Sequence, residues 1–224
     1  LYSIAGLMFW LVGYNLAYGI PEGGFIGTFL PWSDASSIET GYSDGSDWFF
    51  QMVFCATTCS IVSGTMAERI KIWPFFLFCA ILAGIIYPIE MGWQWGGGHL
   101  AAAGFSDFAG STLVHSAGGA AALAGAILLG PRLGRFDSDG AKPMAPFASS
   151  SIPLATLGVF ILWLGWFGFN GGSQLALGSF EDSTSVATIF INTNLAAAAG
   201  VMVCAAVSRL VGGKTDVVMM LNGA

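Results

Sequence analysis

Residues 106–130 read SDFAGSTLVHSAGGAAALAGAILLG. One carboxylate, Asp107, stands at the head, one imidazole, His115, lies eight residues on, and small and aliphatic residues fill the rest. An oily segment of this length with a single ionisable group inside it is either the core helix of a soluble protein or a helix surrounded by lipid. Composition decides between them. The chain has 224 residues, of which 55% are hydrophobic and only 9% charged, with a mean hydropathy of +0.73. Soluble domains are about a quarter charged, so lipid is the surroundings this sequence fits.

A helix crosses the hydrocarbon core with roughly 20 mostly apolar residues. Six windows qualify, near 1–20, 48–66, 72–91, 110–129, 152–169 and 187–207, and an apolar run from Val217 starts a seventh. A soluble helical bundle would need polar faces that these windows lack. The expected fold class is therefore an all-α polytopic membrane protein. The chain opens without methionine and stops as an apolar run begins, so it reads as a fragment, truncated at both ends.

The basic residues give an orientation. Arg69, Lys71, Arg132, Arg135, Lys142, Arg209 and Lys214 fall in three loops only, near 67–71, 131–150 and 208–216. These are alternate loops of a serpentine path. The loops between them hold acids instead, among them Glu22, Asp34, Glu39, Asp44, Asp47, Glu90, Asp107, Glu181 and Asp182. The positive-inside rule makes the three basic loops cytoplasmic and sets Asp107 near the outer surface. With no basic stripe, nucleic-acid binding is excluded. Cys55, Cys59, Cys79 and Cys204 lie in apolar runs without metal-ligand spacing to a histidine, so neither a disulfide framework nor a metal site is expected.

Several residues stand out against this background. If a helix begins near Gly110, His115 lies about 8 Å below its start, where an ionisable side chain usually faces a pathway or the bundle interior. Asp107 is placed to cap the first turn of that helix. Phe50 and Phe54, four residues apart, share a helix face near the outer end of the second window. Trp93 and Trp95 follow the third window, and Trp166 and Phe169 close the fifth on the same side. Interfacial belts account for isolated rings, but their concentration above a histidine suits a small cation, which ring faces attract by about 0.5–2 kcal/mol. The abundant glycines, such as Gly118, Gly119 and Gly125, fit close helix packing.

The segment DFAGSTLVHSAGG resembles the signature of the ammonium transporter family, which includes the Rhesus-type proteins. FFQMVFCATTCSIVSGTMAERIK, WQWGGG, WLGWFGFNGGS and INTNLAAAA resemble further blocks of that family, in order and spacing, so the likeness covers essentially the whole chain. It implies an ammonium transporter-like bundle of eleven spans, assembled as homotrimers with one pore in each protomer. The six windows would be its second to seventh spans. It also implies that Trp95, Phe54 and Ser173 receive ammonium outside, with Asp107 beside them, and that Phe54 and Phe169 form a gate with Phe50 and Trp166 nearby. His115 would be the first of two pore histidines carrying hydrogen bonds and a proton; the second belongs to a later span, and His99 lacks its context. Ser111 stands where many members have glycine. The implied activity is ammonium or ammonia transport, with methylammonium as analogue, no cofactor and no enzymatic chemistry. The alternative is an ammonium-sensing receptor of the same fold with a downstream signalling domain. The implied setting is the cell membrane, with a PII-type regulatory protein as partner on the cytoplasmic face.

Overall fold

The computed structural model describes residues 1–36, 42–136 and 147–224. Lys142 and Glu39 lie outside the described residues, as does half of the loop expected near 131–150. The chain divides into two units, Leu1–Pro146 and Phe147–Ala224.

In the first unit, α1 (Tyr2–Met8) passes through a π turn, Phe9–Gly13, into α2 (Tyr14–Tyr18). Then come α3 (Asp44–Met66), α4 (Ile72–Ile81), a second π turn at Leu82–Ile86, α5 (Tyr87–Gly92), the short α6 (His99–Ala102) and α7 (His115–Leu129). Proline explains the second π turn. Pro88 has no N–H to give to the carbonyl four residues back, and its ring crowds that carbonyl, so the helix widens over the preceding turn. Helix α3 starts at Asp44, earlier than its apolar window, because Ser43 caps it by accepting from the Ser46 N–H at 3.1 Å. Asp44 and Asp47 favour the same end of the helix dipole.

Helix α7 packs on α3 through small residues. Gly118, Ala122 and Gly125 are its buried positions, and a Cβ at Gly118 would come within 2.9 Å of Ile61 Cβ. This is the close approach that helices in lipid use in place of a hydrophobic driving force. At the other end of α3, Arg69 donates to Gly130 O at 2.7 Å and also to Thr65 O. A side chain from the α3–α4 loop thus satisfies a carbonyl at the end of α7.

The turn after α5 is held backbone to backbone. A Cβ at Gly96 would lie 1.9 Å from Ala17 O, at the end of α2, and one at Gly92 would lie 2.7 Å from the same oxygen. Gly97 has φ +77°, a left-handed conformation that glycine adopts without strain. Gly96→Ala is therefore expected to cost about 1–3 kcal/mol, read as a lower thermal midpoint of the detergent-solubilised protein, whereas Gly119→Ala, with no heavy atom near its Cβ position, is expected to leave the midpoint unchanged.

The second unit contains α8 (Ile152–Gly172), α9 (Phe180–Gly212) and α10 (Val217–Gly223). Ser151 and Ser179 cap the first two, accepting from Leu154 N–H and Asp182 N–H. Gly213 ends α9 at φ 73°, and Asp216 caps α10 through Val218 N–H at 2.8 Å. Both α8 and α9 run beyond their apolar windows because caps, rather than hydropathy, set their ends.

Among the described residues, four helical stretches are long and apolar enough to cross a membrane: Asp44–Met66, Ile72–Gly92, Ile152–Gly172 and Phe180–Gly212. The other two full windows fold differently. The first carries the π turn between two short helices. The fourth begins its helix at His115, not near Gly110, and is 15 residues long.

Candidate functional site: the rings and the Asp107 nest

The site residues of the first unit gather around Asp107. Its carboxylate is 5% exposed. Oδ1 accepts from the N–H groups of Gly110 at 2.8 Å and Ser111 at 3.1 Å, and Oδ2 from those of Thr112 and Leu113, both at 2.8 Å. Burial alone would raise this carboxyl, but the backbone donors of Leu113, Thr112, Gly110 and Ser111 outweigh it and hold the group below the usual carboxylate range. Four consecutive amides converging on one anion form a nest. This nest explains why α7 starts late: its donors serve Asp107, and Gly110 takes φ +91°, so no α-helical ladder forms there. Asp107 was expected as a cap on the first turn of α7 and beside the substrate. In the structure it holds the turn ahead of the helix, and both of its oxygens are taken by main chain.

The main chain of Asp107 also fixes a ring. Trp95 Nε1 donates to Asp107 O at 2.7 Å. Trp95 meets Phe54 edge to face, with centroids 5.4 Å apart and planes at 63°. Phe54 meets Phe50 at 5.0 Å and 83°. Phe54 is 5% exposed and sits on the buried side of α3 with Gln51 and Thr58. The expected partnership of Trp95, Phe54 and Phe50 is therefore a physical cluster, and its indole is aimed by the glycine turn on one side and by Asp107 on the other.

His115 opens α7. Its Nδ1 lies 3.1 Å from Gly110 O. A carbonyl can only accept, so Nδ1 carries the hydrogen and Nε2 is left for a partner elsewhere. The expectation of a ring about 8 Å below a helix start is corrected: His115 is itself the first helical residue, and it is exposed.

Trp166, Phe169 and Ser173 belong to the second unit. Trp166 packs on Trp163 with centroids 6.0 Å apart. The Ser173 hydroxyl donates to Phe169 O at 2.7 Å and ends α8, which leaves its oxygen lone pairs able to accept from another donor. Sequence reasoning passed over Glu90, grouped with the loop acids; it lies within α5, and its Oε2 is buried without a partner among the described residues. A glutamate interrupting an apolar window was the available signal.

Long apolar helices, small-residue packing and a buried polar nest define an integral membrane protein of helical transporter architecture. The chain belongs to the Ammonium Transporter Family, whose profile matches residues 2–224. It is 43% identical over 238 residues to ammonium transporter Amt2 of Archaeoglobus fulgidus, covering 100% of this chain and 48% of that protein. To a putative ammonium transporter of Synechocystis it is 40% identical over 225 residues, covering 97% and 50%. Among solved structures, one titled "Sensor Amt Protein" superposes with a TM-score of 0.87 at 36% identity, covering 98% of this chain and 54% of that one. The Mep2 mutant delta442 of Candida albicans gives a TM-score of 0.79 at 29% identity, covering 99% and 52%. The chain thus spans about half the length of the curated relatives it matches.

Proposed function

We propose that this chain serves ammonium uptake across the cell membrane. Ammonium is received on the face of Trp95, with Phe54 and the Ser173 hydroxyl as its other partners. It gives up its proton there and passes Phe54 and Phe169 as ammonia, with Phe50 and Trp166 near that gate. His115, through Nε2, carries hydrogen bonds and the proton onward. The physical reason for the deprotonation is that burying a unit charge costs several kcal/mol, whereas ring faces return only about 0.5–2 kcal/mol. The observation that carries the reading is the Phe54–Trp95 contact, with its indole N–H committed to Asp107 O: the polar edge is occupied, so what the tryptophan has left to offer a cation is its π-face.

The reading extends to the whole protein as a homotrimer with one pore in each protomer. The loops near 67–71, 131–150 and 208–216 face the cytoplasm, and a PII-type regulator docks on that side. Trp95→Leu, made in the protein encoded by the complete reading frame, is expected to raise the half-saturating methylammonium concentration about five- to tenfold, in keeping with the loss of about 1–1.4 kcal/mol of cation attraction. An unchanged concentration dependence would remove the indole from the recruitment role. A sensing function is the second reading, favoured by the likeness to the structure titled as a sensor; it predicts ammonium binding without substrate uptake.

A further inference from the structure

Of the buried polar atoms in the first unit that have no hydrogen-bond partner among the described residues, three come from α5 and the turn that follows it: the Tyr87 hydroxyl, Glu90 Oε2 and Gln94 Oε1. Tyr87 and Glu90 are in α5, and Gln94 continues it, its N–H donating to Met91 O at 3.3 Å. Positions i, i+3 and i+7 lie on one helix face. Tyr87 is fully buried, so its hydroxyl cannot turn to bulk solvent. The π turn Leu82–Ile86 precedes the strip, and widened turns of this kind are frequent at functional sites.

Charge sharpens the observation. Asp107 is within electrostatic reach of both Tyr87 and Glu90, yet its own charge is met by the four amides of its nest. Nothing comparable meets Glu90. No donor or cation reaches its carboxyl among the described residues, and every lysine and arginine of the chain lies at 69–71, 132–142 or 209–214. The strip is also chemically uniform. The carboxylate and the amide carbonyl can only accept, and the phenol oxygen can accept as well. A water molecule could satisfy such atoms singly, but burial beside Asp107 disfavours Glu90 as a carboxylate, and a bound cation is what would hold it in that form. A divalent ion would want more ligands than are here, since no group of three metal-binding side chains occurs among the described residues.

We propose that Tyr87, Glu90 and Gln94 form a binding site for a small monovalent cation, separate from the Phe54–Trp95 rings. The identity of that ion as ammonium rests on the transport reading above. Glu90 supplies the countercharge, while the Gln94 carbonyl and the Tyr87 oxygen fix the ion's orientation.

Thallium(I), which scatters anomalously and stands in for ammonium and potassium, tests the site in crystals of the protein encoded by the complete reading frame. The wild type is expected to show a thallium peak beside Glu90 Oε2. Glu90→Gln, which keeps the shape and removes the charge, should weaken thallium binding at least tenfold and abolish the peak. Tyr87→Phe should lower its occupancy, and Trp95→Leu should leave it in place. A wild-type strip holding only water, or a peak that survives in Glu90→Gln, overturns the proposal. Methylammonium uptake by the wild type, measured alongside, separates the two readings. Normal uptake with no thallium at Glu90 sinks the site alone, whereas thallium at Glu90 without uptake counts against transport and leaves the site standing.

Discussion

Replacing His115 by alanine in the protein encoded by the complete reading frame is expected to cut methylammonium uptake by about a hundredfold, the lower end of what a positioned proton-transfer group contributes. The argument is geometric. Gly110 O fixes Nδ1 as the donor, so the ring presents Nε2 as the acceptor through which a proton or a hydrogen-bonded ammonia would pass. Alanine removes that acceptor without disturbing the packed seam of α7, because Gly118, Ala122 and Gly125 carry the contact with α3. The thermal midpoint of the variant should therefore stay close to that of the wild type while uptake falls. Unchanged uptake with unchanged ion selectivity would show that the imidazole only anchors the helix start.

Asp107→Ala is expected to act on stability, lowering it by about 3–5 kcal/mol. Each buried donor left unsatisfied costs about 1–3 kcal/mol, and four N–H groups lose one acceptor side chain, with water recovering part of the loss at the outer end. The same nest gives a pH signature. Because the folded carboxyl is held below its usual range, its contribution is fully present above about pH 4, the unfolded value, and is lost as pH falls through the lower folded value. Urea or thermal unfolding of the wild type and Asp107→Asn should differ by a constant amount at neutral pH, and the difference should shrink below about pH 4. A difference that grows on acidification would mean that the nest does not hold an anion.

Hydropathy made the membrane class and most of the spans readable, because twenty apolar residues in a row leave a chain few alternatives. Position along the apolar windows already singled out His115, Phe54, Trp95 and Phe169, while family likeness alone added Ser173 and the roles expected of the set; no spacing rule would have joined residues so far apart. What stayed hidden depended on backbone detail. The late start of α7 follows from Asp107 drawing off the amides of residues 110–113, a local competitor to helix that an apolar window does not register. The turn that aims Trp95 depends on Gly96 touching Ala17 O, a contact between segments distant in sequence. Glu90 was visible as a letter but not as a problem. Only burial shows that its oxygen, the Tyr87 hydroxyl and the Gln94 carbonyl share a strip without partners.

The two loyalties of Asp107 have a mechanical consequence. Its side chain clasps the peptide units that lead into His115, while its own carbonyl tethers the indole of Trp95. The indole of Trp95 and the turn that leads into His115 are thereby tied to a single residue. A tilt of α7 would therefore reach the tryptophan by two routes, through Asp107 and through the α3 seam that carries Phe54.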